Sequence, residues 1–201
     1  MPGPTGRPRD PDVDVRILDA ARALLHESGL ERLTISAVAS RAGVGRPTVY
    51  RRYNRPDDIA MEVLYTDIDG LLDEAEARRN PGAPVLDQLV DLADPFLVYY
   101  NAHPPLSAAL LKLSMFSGGA WQARFANHAI AWLAGLAADF QTATTDGRLH
   151  PDVDTQVLMQ TFFGLYLMTA IAGVQGLFDL ETQRMLLRRS LAQHLRGLVP
   201  E

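Results

Sequence analysis

The segment RAGVGRPTVYRRY, residues 41–53, gathers side chains that bind phosphates and base edges. Around its two glycines lie four arginines, a threonine and two tyrosines. Guanidinium groups pair with phosphate oxygens and with guanine in the major groove, and hydroxyl groups donate hydrogen bonds to phosphates. The segment therefore has the chemistry of a nucleic-acid contact, although a charged helix face can also be merely solvated.

Charge is distributed unevenly along the chain, whose formal net charge is −5. Residues 1–55 contain ten arginines and six acidic residues, whereas the remainder contains nine basic and eighteen acidic residues. A basic head on an acidic body is the charge pattern expected of a protein that binds nucleic acid through one end only.

Apolar residues recur at helical spacing along nearly the whole chain, so the sequence predicts an all-α protein. Proline, glycine and capping residues divide it into nine helices, three in a small head and six in a body. The predicted helices cover residues 10–28 (with a start near Asp10 or Asp12), 35–42, 47–53, 57–79, 84–102, 105–117, 120–145, 152–176 and 180–197. The Pro-, Gly- and Arg-rich residues 1–9 predict a disordered tail.

Residues 34–53 have the pattern of a helix-turn-helix. Thr34 suits the N-cap of its first helix, and Gly43 allows the left-handed turn that ends this helix. Ala39 is small enough for the two helices to approach closely. Packing of the apolar residues leaves one polar face exposed, which consists of Gly45, Arg46, Pro47, Thr48, Tyr50, Arg51 and Arg52.

The stretch LTISAVASRAGVGRPTVYRRYNRPDDI resembles the head of the TetR (tetracycline-repressor-like) family of bacterial transcription regulators. The positions that match the family pattern are Thr34, Ala39, Ala42, Gly43, Val44, Thr48, Tyr50, Tyr53, Asp57 and Ile59. The resemblance covers about residues 12–65, and beyond it only helix number, length and order are similar. It implies a helix-turn-helix DNA-binding domain at 10–56 and a ligand-binding and dimerisation domain at 57–201, behind the tail at 1–9.

The resemblance also implies roles in DNA binding. Arg46, Pro47 and Thr48 would approach base edges, and Arg46 could pair with guanine. Phosphate contacts would come mostly from Thr34, Tyr50 and Arg52. The whole implied set of DNA-binding residues is Thr34, Ser36, Gly45, Arg46, Pro47, Thr48, Tyr50, Arg51 and Arg52.

Two residues depart from the family pattern. Gly45 stands where the family usually has serine or threonine, and Pro47 stands where it often has glycine or alanine. Both residues are tolerated at the start of a helix, so the departures affect the base preference rather than the fold. Arg7 and Arg9 would either form a minor-groove arm or belong to the disordered tail.

The body carries two further sets of candidate residues. The resemblance implies a cavity between helices five to eight for a small apolar or aromatic effector, although each aromatic residue can equally be core. Its predicted lining is Tyr99, Trp121, Phe125, His128, Phe162 and Tyr166. Apolar stripes on the last two helices could simply pack within the body. The resemblance implies that these helices pair with those of a second copy, and a helix-turn-helix needs two copies to span an inverted repeat. The predicted interface is Val157, Leu158, Thr161, Leu165, Leu187, Leu191 and Leu195.

The sequence lacks the motifs that are typical of enzymes, metal-binding proteins and membrane proteins. The sequence has no cysteine, no metal-binding histidine spacing, no nucleophile elbow and no phosphate loop, so no enzyme, cofactor or metal site is predicted. No uninterrupted apolar run of membrane-spanning length and no apolar N-terminal segment occurs, which predicts a cytoplasmic protein without a membrane span. The resulting hypothesis is a repressor released from its operator by an effector. An activator and a DNA-binding protein without an effector are the alternatives.

Overall fold

The computed structural model describes residues 11–116 and 120–199, and the side chains outside residues 113–132. The predicted disordered tail, residues 1–9, lies outside the described residues. Within the described ranges the chain forms nine α-helices and a short 3-10 helix, Leu30–Arg32. The α-helices are α1 (Pro11–Ser28), α2 (Ile35–Ala42), α3 (Arg46–Tyr50), α4 (Pro56–Arg78), α5 (Val85–Ala102), α6 (Pro104–Phe116), α7 (Ala120–Thr145), α8 (Thr155–Val174) and α9 (Leu180–Leu195). The all-α prediction is confirmed.

Local signals set both ends of α2, whose bounds are those predicted. The Thr34 hydroxyl oxygen accepts a hydrogen bond from the backbone N–H of Ala37 at 3.1 Å. At the other end Gly43 has φ 64°, the left-handed conformation that favours glycine. Capping and termination are therefore encoded within a ten-residue window of sequence.

Helix α3 ends earlier than the predicted 47–53. Gly45 is its N-cap, and Pro47 lies in its first turn. The backbone N–H groups of Arg52 and Tyr53 both bond the carbonyl of Val49, at 2.9 and 3.0 Å, so the chain closes into a turn after Tyr50. Only five residues of regular helix remain to contact a ligand.

The chain divides into two compact units, of which the first ends at Tyr65 and the second begins at Thr66. The division lies inside α4. In the first unit α1 packs on α2 and α2 packs on α3. The buried side chains of these three helices are Ile17, Ala20, Ala21, Leu25, Ile35, Val38, Ala39, Ala42 and Val49. The functional domain limits 10–56 and 57–201 stay a prediction.

In the second unit α8 is the central helix, and it packs against α5, α6, α7 and α9. Leu158, Phe162, Tyr166 and Ala170 form its buried stripe at intervals of four residues. Near its end, Gly173 allows α9 to approach so closely that the side chain of buried Gln183 fills the space where a Cβ would be. The body is therefore built around one buried face of α8.

Candidate nucleic-acid interface

One face of α3 is exposed while the other anchors it. Val49 is fully buried in the head, and Thr48 is half-buried. The exposed residues of the segment are Gly45, Arg46, Pro47, Tyr50 and Arg51. Tyr50 is 56% exposed. The structure thus places most of the predicted DNA-binding residues on one accessible surface.

The arginines of the head differ in whether a carboxylate already neutralises them. Arg41 is bound to both oxygens of Glu27, each at 2.6 Å, and this pairing lowers the pKa of Glu27. Arg51 reaches only the Thr48 hydroxyl, at 3.4 Å. Arg46 has no hydrogen-bond or ion-pair partner among the described residues. Arg46 and Arg51 therefore present their charge on the exposed face of α3.

Arg52 does not fit the phosphate role that the resemblance implies. Its Nε is bonded to the carboxylate of Asp14 on α1, and its Nη1 donates to the carbonyl of Thr48 at 3.3 Å. Only 11% of the Arg52 side chain is exposed. Because its charge is used inside the head, Arg52 is corrected to a residue that positions α3.

The N-terminal end of α2 carries a second polar surface. Thr34 and Ser36 are both exposed there, as their predicted role requires. Sequence reasoning missed Arg32, which is exposed, lies two residues before the N-cap and has no partner among the described residues. Its position in the sequence could have indicated a phosphate-binding role, because a helix N-terminus attracts phosphate and an adjacent cation adds to that attraction.

Three of the six predicted effector-pocket residues have described side chains. Phe162 and Tyr166 are buried and stacked, with ring centres 6.2 Å apart. The hydroxyl groups of Tyr166 and Tyr100 are hydrogen-bonded at 2.9 Å, and burial raises the pKa of both phenols. Tyr99 is half-buried and donates to Asp67 Oδ2 at 2.6 Å. Trp121, Phe125 and His128 lie outside the residues whose side chains are described, so the pocket stays a prediction.

Four of the seven predicted dimer contacts are corrected by their burial. Leu158 of α8 and three leucines of α9, Leu187, Leu191 and Leu195, are buried inside the body itself. The two helices pack on each other and on α5, which covers these side chains within one copy of the chain. A second copy cannot reach them while the body is folded.

The other three predicted contacts lie on the opposite side of α8. Val157 is 53% exposed, Thr161 and Leu165 are half-buried, and Met168, one turn further along, is 65% exposed. Of the described helices α8 alone is long and apolar enough to cross a membrane, with a mean hydropathy of 1.7. A core helix passes the same test, and the buried stripe of α8 shows that it packs inside a globular body. The unusual feature of α8 is its outer face, on which the apolar side chains of Val157 and Met168 are exposed.

A turn in which Gly43 has the left-handed conformation joins α2 to α3, and Thr34 caps α2. Together with the exposed hydrogen-bond donors of α3, these features define a helix-turn-helix DNA-binding head. Residues 17–61 match the family model of bacterial regulatory proteins of the tetR family. The match covers the head, which is therefore similar to the DNA-binding heads of that family of transcription regulators.

One sequence relative and two solved structures are also similar to this chain. An HTH-type transcriptional regulator of Mycobacterium bovis is 36% identical over 83 residues, which are 41% of this chain and 44% of the relative. The match therefore spans less than half of that relative's length. A TetR transcription regulator from Haloarcula marismortui has a TM-score of 0.77 at 22% identity, covering 95% of this chain and 100% of its own. The regulator FadR from Bacillus subtilis, solved in complex with stearoyl-CoA, has a TM-score of 0.74 at 18% identity and covers 88% and 96%. These likenesses extend the shared fold to the body.

Proposed function

We propose that this regulator is a cytoplasmic repressor that binds an inverted-repeat operator as a homodimer and leaves it when a small apolar or aromatic molecule binds the body. The observation that carries the proposal is the exposed face of α3, where Arg46 has no partner in a chain that is acidic overall. An unpaired guanidinium beside an exposed tyrosine contacts DNA without first losing an ion pair.

Base reading is assigned to the start of α3. Arg46 pairs with the O6 and N7 of a guanine, a contact that discriminates against other bases by about 1–3 kcal/mol. Pro47 and Thr48 approach the neighbouring bases. The short length of α3 means that specificity rests on few side chains, so loss of Arg46 changes the preferred sequence rather than only the affinity.

Phosphate binding is assigned to two groups of side chains, one at the end of α3 and one at the start of α2. Tyr50 and Arg51 lie at the end of α3, and Thr34, Ser36 and Arg32 lie at the N-terminus of α2. The hydroxyl oxygen of Thr34 already accepts the capping hydrogen bond, but its O–H remains able to donate to a phosphate. These contacts fix the register of the head on the duplex and carry no sequence information.

A homodimer is supported by the outer face of α8. Val157 and Met168 are large apolar side chains exposed on a helix that contains no charged residue. Burial against a second copy removes this apolar surface from water. Two copies related by a two-fold axis also match an inverted repeat, whose half-sites lie about 34–36 Å apart.

The effector is proposed to act through α4, which contains the division between the two units. The Tyr99–Asp67 hydrogen bond joins α5 to α4 next to the predicted pocket. A ligand that moves Tyr99 would change the support of α4 and so favour a body conformation that fits the operator poorly. Binding of the ligand and binding of DNA then weaken each other by a coupling free energy of about 1–3 kcal/mol.

The decisive experiment is selection of bound sequences from a random DNA pool by the purified full-length protein and by two variants. We expect the wild type to enrich an inverted repeat. Arg46→Ala should enrich a different or degenerate base at one position of each half-site, whereas Tyr50→Ala should keep the sequence and weaken binding generally. Enrichment of no motif at low salt, before and after refolding to remove any bound ligand, would refute operator binding.

The effector and the sign of regulation need a second measurement. Transcription from a promoter that contains the selected operator should fall when the protein is added, and a rise would favour the activator alternative. Titration of the complex with hydrophobic and aromatic compounds, including stearoyl-CoA because the structurally similar FadR was solved with it, should release the DNA. Release by none of them would favour the alternative without an effector.

A further inference from the structure

A cavity of about 240 Å³ opens in the body between the C-terminal end of α4, α5 and α7. Of the predicted effector-pocket residues with described side chains, Tyr99, Phe162 and Tyr166, none lines it. Its lining includes Arg78, the last residue of α4, and Arg79, which follows it, and, on one face of α5, Gln88, Asp91 and Leu92. Residues spaced by three and four positions lie side by side on a helix, so these three groups face the cavity together.

The first arginine, Arg79, is already neutralised. Its Nε and Nη2 donate to the two carboxylate oxygens of Asp139 at 2.7 and 2.6 Å, and its Nη1 donates to Glu76 at 2.8 Å. These bonds raise the pKa of Arg79 further above its ordinary value. Two carboxylates thus surround one guanidinium at the floor of the cavity, and an anionic ligand would have to displace one of them.

The second arginine, Arg78, is engaged in the same way. It is bonded to Glu74 and lies 3.4 Å from Asp94. Asp94 is in turn bound by Arg184 of α9, at 2.6 Å from its Nε. Neither arginine of the cavity is therefore available as a free cation.

Two of the groups that line the cavity are acceptors available to a ligand. Asp91 is exposed and has no partner among the described residues, although it lines the cavity. Gln88 uses its amide Nε2 to donate to the carbonyls of Pro81 and Ala83, at 3.1 and 2.7 Å, and this leaves its Oε1 as an acceptor. The side chains of Leu92 and Leu136 supply apolar wall beside these acceptors.

We propose that this cavity binds a compact organic cation, a primary ammonium group on a short aliphatic chain. The ammonium donates to the Asp91 carboxylate and to Gln88 Oε1, and the chain lies along Leu92 and Leu136. A metal ion fits less well, because calcium takes about six to eight oxygen ligands and the described residues contain no group of three or more metal-ligating side chains. The volume lies below the roughly 300–1,000 Å³ of sites for drug-sized ligands, which limits the chain length.

The described residues that line this site all lie in the second unit, and Tyr99, Phe162 and Tyr166 are not among them. Binding is measured on the DNA-free protein, so its outcome does not depend on the proposed operator. The full-length protein, labelled at leucine methyl groups, is titrated at pH 7 with n-butylamine, 1-butanol and sodium butyrate. These three probes have similar shape and differ in charge, and at pH 7 the amine is protonated.

We expect n-butylamine to shift the methyl resonances of Leu92 and Leu136 saturably, and the alcohol and the carboxylate to bind at least about tenfold more weakly. Asp91→Asn should weaken butylamine binding by about tenfold, the loss expected for one charge-assisted hydrogen bond. The matched variant Asp152→Asn removes an exposed carboxylate outside the cavity and should bind like wild type. Equal binding of butyrate, unchanged binding by Asp91→Asn, or shifts confined to other leucines would overturn the proposal.

Discussion

Arg52 and Asp14 form an ion pair across the head that joins the turn after α3 to α1, although the two residues are 38 positions apart in the sequence. The same guanidinium donates to the carbonyl of Thr48, near the C-terminal end of α3. The pair therefore ties α1 to the turn that follows α3, and we expect the orientation of the proposed DNA-binding residue Arg46 to depend on it.

Loss of this ion pair should weaken specific binding even though it removes negative charge. We expect Asp14→Asn to reduce affinity for the selected operator about three- to tenfold, the effect of about 1 kcal/mol, because α3 is less firmly placed. Affinity for random DNA should stay equal or rise. Fluorescence anisotropy with both duplexes measures the ratio directly.

The variant Glu31→Gln is the control for charge, since it removes an exposed carboxylate of the head that has no partner among the described residues. It should raise affinity for both duplexes slightly. The third variant is Arg52→Gln, for which the salt dependence of DNA binding is measured. If Arg52 contacts a phosphate, its loss lowers the magnitude of the slope of log K against log salt by about 0.9. If Arg52 only positions α3, the slope is unchanged. A lowered slope would restore Arg52 to the phosphate-binding set.

The sequence predicts local features of this head well and long-range pairings poorly. Thr34 and Gly43 mark the ends of α2 because a cap and a left-handed turn depend only on nearby residues. The Asp14–Arg52 pair could not be predicted, because nothing in the local sequence tells which carboxylate the fold brings to an arginine. The leucines of α9 show the same limit: their spacing indicates a buried face, as Leu191 confirms, but does not say whether the same chain or a second copy buries it.

The paired phenols of Tyr100 and Tyr166 should show strong energetic coupling. Replacing one by phenylalanine leaves the other hydroxyl buried without its partner, so each single variant should lose about 1–3 kcal/mol of unfolding free energy. The double variant Tyr100→Phe/Tyr166→Phe should lose less than the sum, because no orphaned hydroxyl remains. Urea unfolding of the four proteins completes the cycle, and additive losses would show that the hydrogen bond contributes nothing.

Alkaline pH should destabilise the body through the same pair. Burial raises the pKa of both phenols above the ordinary value of 10.0. As pH rises through about 10, the unfolded chain loses these protons while the folded chain retains them, so the free energy of unfolding falls with pH. The double phenylalanine variant should show a smaller fall between pH 9 and 11, and an identical fall in both proteins would contradict this assignment.

Gly173 should not tolerate even a methyl group. A Cβ there would lie 2.6 Å from Cδ of Gln183, whose amide exchanges hydrogen bonds with Asn101 at 2.9 and 3.2 Å. We expect Gly173→Ala to destabilise the body by about 2 kcal/mol through overpacking. Gly70→Ala is the matched control, since an added Cβ at this helical glycine meets nothing within 4 Å, and it should stabilise by about 0.5–1 kcal/mol. Equal effects of the two variants in chemical denaturation would show that α8 and α9 can separate freely at this point.

A charge on the outer face of α8 should separate the proposed dimer without unfolding either copy. Met168 is 65% exposed in one chain, so Met168→Glu costs the monomer little, whereas a glutamate buried in the interface would weaken association by more than about 100-fold, or about 3 kcal/mol. Val98→Glu places the same charge on an exposed apolar residue of α5 and should leave the protein dimeric. Sedimentation velocity reports the assembly state, and operator binding by the Met168 variant should weaken because two half-sites no longer share one protein. If Met168→Glu stays dimeric while Val98→Glu dissociates, the interface lies elsewhere on the body, and the apolar face of α8 requires another explanation.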